Sequence, residues 1–562
     1  MPVDSVTLEV VRNACTAVAE EMNATLVRTS YSPNIKDRRD CSCALFDADA
    51  EMISQAENIP VHLGAMPYSV AAAIEAFPPD ELAAGDAILL NDPFHGGAHL
   101  PDLTLVSPVV VDGEVAAFAA NRAHHADIGG SRAGSVAADS TEIYQEGLRI
   151  PPVRLFQGGE LNEDVMSMVL ANVRTPDERR GDLRAQQAAN RTADARYRDL
   201  VDRHGRETLR EAMDEIKDYS ERRMRAELAA LPDGRWTFED VLDDDGQGTE
   251  DIRIAVAVTV DGEELTVDFA GTADQVPGAV NAPFAVTASA TYYAVRCVTD
   301  PDIPPNHGAY RPVTIEAPEG SVVNARPPAA VVGGNLEVSQ RVTDVLLGAF
   351  AAAAPERAVA AGQGTMNSIT FGGHDRRTDA AFAFYETLGG GYGGRAGADG
   401  MDGVHAHMSN TLNTPVEVLE TAYPLRVRRY EYRPDSAGPG EFRGGLGLTR
   451  EIAARTDDTT FSVLADRRRH APYGVAGGAP GATGADAVVR DGEEEHVGAK
   501  STHLLAAGDA VRVQTPGGAG YGDPADRDPA AVARDYRHGK VTAARVREAY
   551  GLDPDALGSD DE

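Results

Sequence analysis

Apolar residues Leu8, Val11, Cys15, Val18, Met22 and Leu26 recur at three- and four-residue intervals over 5–28. That spacing puts one stripe on one face of a helix, and Asp4 or Ser5 stands where an N-cap belongs. Over 40–56 the pattern changes to alternation, Cys43-Ala-Leu-Phe, then Asp-Ala-Asp-Ala, then Glu51-Met-Ile, which predicts a hairpin. A second helix is expected over 66–77. Ala87-Ile-Leu-Leu-Asn91 reads as a short buried strand, and the apolar runs 104–111 and 114–121 flank Asp112-Gly113, the strongest short-range hairpin signal. Residues 163–232 carry a helical stripe (Leu209, Met213, Ile216, Leu228, Leu231) that ends near Pro232-Asp-Gly234. Period-two alternation returns over 236–270 with a second hairpin at Asp261-Gly262, and Leu336, Val342, Val345, Leu346 and Phe350 predict a helix over 335–352. From 366 to 520 the chain is glycine-rich with short strands, and a helical tail follows whose last residues, 559–562, read as a frayed acidic end.

These elements predict a mixed α+β, multi-domain protein: an N-terminal α+β region with β-hairpins, a helical middle and a β- and Gly-rich C-terminal half. The expected divisions are 1–160, 161–235, 236–365, 366–525 and an acidic helical tail, 526–562. A chain of 562 residues holds several cores of that kind.

Charge changes the picture. There are 88 acidic residues against 52 basic ones, a net charge of −36, and only Lys36, Lys217, Lys500 and Lys540 are lysines. Such a carboxylate surface repels itself unless salt screens it, so the expectation is a halophilic protein. Phosphate-backbone binding needs clustered Lys and Arg, so nucleic acid is not an expected partner. No basic and apolar leader opens the chain and no run approaches the roughly 18 apolar residues of a membrane span; the expected location is the cytoplasm, with no membrane partner. The four cysteines, Cys15, Cys41, Cys43 and Cys297, have no metal or redox spacing.

The chemistry is concentrated around the Asp112-Gly113 hairpin. Asn91-Asp-Pro-Phe-His-Gly-Gly-Ala-His-Leu-Pro-Asp102 precedes it and Asn121-Arg-Ala-His-His-Ala-Asp127 follows it. A two-residue turn sets Asp102 opposite Ala123 and His99 opposite Ala126. Parity then puts His125 on the face of Asp102 and His124 on the other. His99, Asp102 and His125 form a reasonable open site for Zn²⁺, Mn²⁺ or Fe²⁺, although a register slip of one residue exchanges His125 for His124. The alternative is a set of surface or core-capping histidines.

Several longer segments resemble the hydantoinase B/5-oxoprolinase B-subunit family. They include Asn34-Ile-Lys-Asp-Arg-Arg-Asp-Cys-Ser-Cys-Ala-Leu-Phe-Asp47, Ile59-Pro-Val-His-Leu-Gly-Ala-Met66 and the two segments above. Asp139-Ser-Thr-Glu-Ile-Tyr-Gln-Glu-Gly, Gly334-Asn-Leu-Glu-Val-Ser-Gln-Arg341, His405-Ala-His-Met-Ser-Asn-Thr411 and Thr515-Pro-Gly-Gly-Ala-Gly-Tyr-Gly522 continue the resemblance in order. It implies a B-type subunit of an ATP-dependent cyclic-amide hydrolase, soluble and hetero-oligomeric. An A-type partner subunit uses ATP to activate a hydantoin or 5-oxoproline ring, which this chain then opens. In the related acetone carboxylases a His-x-x-Asp pair and a later histidine hold a metal; here these fall on His99, Asp102 and His125. Two other readings stay open, an ATP-dependent carboxylase subunit and a scaffold without chemistry.

Further candidates are Glu142, Asp127 and His124 for proton transfer, and His62, His405 and His407 for substrate binding, with His307 as a minor pocket candidate. His405 and His407 share a face if their segment is a strand. Glu142 has a helix-capping alternative. Gly389-Gly-Gly-Tyr-Gly-Gly394 satisfies a bare dinucleotide pattern, but more glycines rather than a helix follow it, so the expectation is a tight loop lining a pocket.

Overall fold

A computed structural model describes residues 4–56 and 58–557; the expected frayed end at 559–562 lies outside them. The N-terminal layer comprises helix α1 (Ser5–Thr29), the short α2 (Pro33–Lys36), strands β1 (Cys41–Asp47) and β2 (Met52–Gln55), helix α3 (Pro60–Ala76), and strands β3 (Ala87–Leu90), β4 (Asp102–Val111), β5 (Glu114–His124), β6 (Val153–Gln157) and β7 (Glu160–Leu161). The seven strands form one sheet in the order β2-β1-β5-β4-β3-β6-β7. Helices α4 (Glu163–Ala171), α5 (Pro176–His204) and α6 (Arg206–Ala229) follow.

Alternation decides which face of this sheet meets which helix. Ala44, Phe46, Val106, Phe118 and Ala120 pack under Met66 and Val70 of α3. Cys41, Cys43, Ala117, Ala119 and Ala123 pack against Val11, Cys15 and Met22 of α1 and Ala189 of α5. The sheet is therefore covered on both sides, which is why β1 and most of β5 are buried along their length. Asp4 caps α1, its carboxylate accepting from the amides of Val6 and Thr7 at 3.0 and 3.1 Å.

The second layer contains strands β8 (Gly234–Asp244), β9 (Glu250–Asp261) and β10 (Glu264–Asp268), helices α7 (Phe284–Val298) and α8 (His307–Tyr310), strand β11 (Val313–Glu316) and helix α9 (Ser339–Ala353). α9 is preceded by a π-helical turn, Gly334–Val338, a local widening frequent at functional sites. The C-terminal half holds β12 (Ser368–Asp375), β13 (Ala380–Glu386), α10 (Val416–Ala422), β14 (Leu425–Tyr432), β15 (Leu448–Ala454), β16 (Thr459–Leu464), β17 (Ala485–Arg490), β18 (Glu493–Val497), β19 (Lys500–Leu505) and β20 (Ala510–Gln514), then α11 (Pro529–Arg537), α12 (Ala543–Tyr550) and α13 (Pro554–Leu557). These strands make a four-stranded and a five-stranded sheet around a shared apolar core. The mixed α+β class expected from the sequence is the class observed. No helix among the described residues is long and apolar enough to cross a membrane.

One expectation was too short. The helix placed at 66–77 starts at Pro60 and runs through Pro67, so His62 stands in its first turns rather than in a loop.

Glu146 and Glu337 are fully buried with no ion pair within 4.0 Å among the described residues. Glu146 Oε1 accepts from the Val332 amide at 3.0 Å and the Ser140 hydroxyl at 3.1 Å, and burial pushes its carboxyl up to about 7. Glu337 is pushed up to about 8 by burial and by Asp466. Between the ordinary carboxylate range and these values the folded chain holds a proton that the unfolded chain releases, so both groups make stability fall as pH rises through that window. Glu146→Gln, which imitates the protonated form, is expected to flatten the decline between about pH 5 and 7. Unfolding midpoints of both proteins across that range check it; parallel curves would contradict the assignment.

Candidate functional site

The site forms at one end of the N-terminal sheet, where Asp102 begins β4, His124 ends β5 and Asp40 immediately precedes β1. The chain enters β4 through His99, and α3 presents His62 from above. Asp102 pairs with His124 in the β4–β5 ladder, not with Ala123 as a regular hairpin requires. A bulge between Val109 and Val110 moves the register by one residue. His124 consequently faces α3, together with Asp102, and His125 turns to the opposite face. There the Nε2 of His125 lies 3.0 Å from Gln186 Oε1 of α5. The trio His99, Asp102 and His125 expected from the hairpin is thus corrected to His99, Asp102 and His124, whose ligand atoms all lie within 4.8 Å of one another.

The electrostatics of this cluster are unusual. Asp102 Oδ2 is 3.0 Å from His99 Nδ1, and Asp102 Oδ1 is 3.2 Å from His62 Nε2. Neither contact has hydrogen-bond geometry. Both oxygens of Asp102, both ring nitrogens of His99 and Nε2 of His124 are buried with no hydrogen-bonding partner among the described residues. Buried polar atoms are rarely left so; five on three adjacent side chains mark a site whose donor atoms are kept for something else. Burial alone would raise Asp102, but His62 and His99 hold its carboxyl well below the usual range. Burial and the neighbouring His99 hold His124 well below its ordinary value, so its ring is neutral, the form that ligates metals. An imidazole–carboxylate–imidazole set of this kind suits Zn²⁺, Mn²⁺ or Fe²⁺.

A supporting network fixes His124. Its ring stacks on Tyr385 at 4.5 Å and 9°. Asn34 Nδ2 donates to the His124 carbonyl at 2.6 Å and approaches Nδ1 at 3.1 Å. The buried Arg38 donates in turn to Asn34 Oδ1, to the Tyr385 carbonyl at 3.0 Å and to Thr387 Oγ1 at 2.8 Å.

Beside the cluster lies a cavity of about 20 Å³, room for about one water. Asp40, His62, His124, Tyr385 and Thr411 line it, with Asn335 and Leu336 of the π-helical turn. His62 Nε2 is 3.8 Å from Asp40 Oδ1, and burial raises the Asp40 carboxyl above its ordinary value.

The other sequence candidates stand apart. Glu142 is exposed and caps the 3₁₀ turn Ile143–Gln145 in a reciprocal box with Gln145, so its capping alternative describes its place. Asp127 is buried but committed to Arg174 at 2.9 Å and to the amides of Gly129, Gly134 and Arg174. Burial and Arg179 hold His125 down to about 4. Neither His405 nor His407 lies in a strand, and His407 opens a turn with a left-handed backbone, φ +53. They therefore do not share an environment. His405 contacts Ser409 at 2.9 Å and Thr411 at 3.4 Å, both cavity-lining residues, and burial and Arg38 hold it down to about 3. His407 faces Asp344 at 3.9 Å and the rings of Tyr293 and Tyr392. His307 pairs with Glu51 at 3.0 Å and is half-exposed.

Asp40, Asn34, Arg38 and Tyr385 were not singled out from the sequence. The β1–β5 pairing, Cys41 opposite Ala123, is what brings Asp40 to the sheet end of the hairpin histidines, and no local signal in the sequence carries it.

Known proteins resemble this chain along nearly its whole length. The family model for Hydantoinase B/oxoprolinase matches residues 4–524. An uncharacterised protein of Methanocaldococcus jannaschii is 40% identical over 97% of this chain and 95% of its own length. A protein of Pseudomonas sp. (strain NS671), named as the B-type subunit of a D-/L-hydantoinase, is 35% identical over 98% and 95%. 5-Oxoprolinase 1 of Arabidopsis thaliana is 37% identical over 92% of this chain, which spans only 42% of that enzyme. Among solved structures, the ATP-dependent caprolactamase from Pseudomonas jessenii superposes with a TM-score of 0.91 at 32% identity, covering 100% and 98% of the two chains. Acetone carboxylase superposes at 0.89 with 19% identity, covering 98% and 79%, a likeness of fold.

Proposed function

We propose, since the chain belongs to the hydantoinase B/oxoprolinase family, that it is the ring-opening subunit of an ATP-dependent cyclic-amide hydrolase. An A-type partner subunit spends ATP to activate a hydantoin- or 5-oxoproline-like ring, and the two chains form a hetero-oligomer. The observation that carries this reading is the cluster of unpartnered, buried donor atoms of His99, Asp102 and His124, with His124 also lining a cavity the size of one water. These three residues would hold a divalent ion, which supplies acidification of water and polarisation of oxygen.

The chain's own residues divide the remaining work. Arg38, through Asn34, and the Tyr385 ring orient His124. Burial raises the Asp40 carboxyl above its ordinary value, which favours its protonated form, and Asp40 is placed to protonate the leaving ring nitrogen as the carbon–nitrogen bond breaks. His62, between Asp40 and Asp102, is placed to exchange protons with Asp40. The cavity walls Val61, Leu336 and Met408 exclude bulk water from the activated carbon.

The test is metal analysis and coupled turnover on the chain assembled with its ATP-using partner. Wild type is expected to hold near-stoichiometric metal, and Asp102→Asn to lose both the metal and ring opening. Asp40→Asn is expected to keep the metal and lose about 10²-fold in turnover. No metal in a folded wild type sinks the metal reading. Labelled bicarbonate appearing in the product would reassign the reaction to carboxylation, and full activity of Asp102→Asn would leave a scaffold.

A further inference from the structure

Two adjoining clefts lie on the far side of the cavity wall. One, about 680 Å³, opens between α1 and β2, and the other, about 320 Å³, between α3 and α7; they share Gln55, Asn58 and Pro305. The wall between these clefts and the inner cavity is one residue thick in three places. In 38–40, Asp40 lines the cavity, Arg38 is buried in the network behind it, and Arg39, in a left-handed backbone at φ +56, swings out into the larger cleft. In 58–62, Asn58 and Pro60 line the outer clefts while Ile59, Val61 and His62 line the cavity. In 409–411, Asn410 faces out between Ser409 and Thr411, which face in. The Asn410 side chain closes the seam by donating to the Asn58 carbonyl at 3.0 Å.

The charge on the outer side runs against that of the whole molecule. The chain carries a net −36, yet Arg12, Arg28 and Arg39 line the larger cleft and Arg296 the smaller. Among the described residues Glu20 is the only carboxylate lining either cleft. Arg12 is paired with Glu9. No carboxylate among the described residues lies within 4.0 Å of Arg28, Arg39 or Arg296. Arg28 sits in the last turn of α1, where a cation suits the helix end, but that does not explain why Arg39, also without a carboxylate, lines the same cleft and Arg296 the adjoining one. The Arg296 guanidinium is fixed by donating to the carbonyls of Ile303 and Pro301 at 2.8 and 3.2 Å, so its position is set before any ligand arrives. Planar guanidinium forks match phosphoryl oxygens.

We propose that the paired clefts bind a phosphoryl-bearing small molecule through Arg28, Arg39 and Arg296, one residue's thickness from the ring-opening cavity. The source of that group rests on the function proposed above: it belongs either to the activated ring on its way in or to inorganic phosphate on its way out.

The test titrates inorganic phosphate into the full chain at fixed ionic strength, because such contacts are salt-sensitive, followed by ³¹P NMR or calorimetry. Saturable binding is expected in wild type and in Arg235→Gln, which removes another exposed arginine elsewhere. Arg28→Gln/Arg39→Gln is expected to bind about tenfold more weakly, with metal content unchanged. In the assembled enzyme, the double variant consuming extra ATP per ring opened assigns the group to the incoming ring. Loss of inhibition by added phosphate at unchanged coupling assigns it to the product. Absent saturable binding, or equal binding by wild type and the double variant, overturns the proposal. Metal-free wild type that still binds phosphate would instead remove the metal reading and leave this site standing.

Discussion

His124→Ala is expected to remove the metal from the folded chain and to lower ring opening by about three orders of magnitude, ~4 kcal/mol of transition-state stabilisation. His125→Ala, one position along, is expected to keep the metal and most of the activity. The contrast follows from one bulge. Because the register shifts between Val109 and Val110, His124 rather than His125 stands beside Asp102. His124 presents a buried, unpartnered Nε2 to the cluster, and its neutral ring has a lone pair to offer. His125 spends its Nε2 on Gln186 at 3.0 Å. Losing that contact leaves a buried amide oxygen short of a donor, a stability cost of about 1–3 kcal/mol. Metal content, turnover and unfolding midpoint of the two variants separate these roles. Metal loss in His125→Ala with retention in His124→Ala would mean that the site uses the other face of the sheet.

The difference between the two histidines marks where the sequence stops being legible. Helix α1 and both Asp-Gly hairpins could be read because their signals are local: a 3.6-residue stripe and a turn dipeptide between apolar runs. Which residues of β4 and β5 meet could not, because a bulge leaves no separate signature in an alternating pattern. Pro108 was the clue available. Proline cannot donate to a ladder and gathers at bulges and strand margins, and here it lies just beyond the last β3 partner, Val106, and just before the bulge. Asp40 and Tyr385 were out of reach for another reason: β1 and β13 come to the site from distant parts of the chain, and long-range pairing is not encoded in spacing. His405 and His407 show another limit: a shared face was conditional on a strand, and instead His407 has a left-handed backbone that separates the two rings. The resemblance to a family pointed at these segments and at His125, whereas the member of the pair that stands beside His99 and Asp102 is His124.

The second large effect concerns a segment read as a pocket-lining loop, Gly389 to Gly394. Its glycines serve close packing of backbone on backbone. The amide of Gly391 donates to the Pro516 carbonyl at 3.1 Å and its carbonyl accepts from Gln363 at 2.8 Å, while Gly445 donates to Tyr392 at 2.7 Å and Gly518 to Gly445 at 3.0 Å. A Cβ on Gly391 would stand 2.0 Å from the Gly518 nitrogen and 2.1 Å from the Gly445 oxygen. Neither neighbour can turn aside as a side chain could, so the backbones themselves must part and several hydrogen bonds go with them. Gly391→Ala is therefore expected to destabilise this half of the chain by about 4 kcal/mol or more, at the exceptional end of single substitutions. Gly498→Ala, where a Cβ meets nothing within 4 Å, is expected to stay within about 0.5 kcal/mol of wild type. The same lattice holds the neighbouring Gly390 against Val404, through amide–carbonyl contacts of 2.9 and 2.8 Å, and so anchors the turn that carries His405, Ser409 and Thr411 to the cavity. Gly391→Ala should accordingly lose ring opening even at temperatures where it remains folded. Limited proteolysis and turnover of the two glycine variants measure both consequences. A Gly391→Ala protein as resistant and as active as Gly498→Ala would show that these backbones part without cost, and that the cavity does not depend on them.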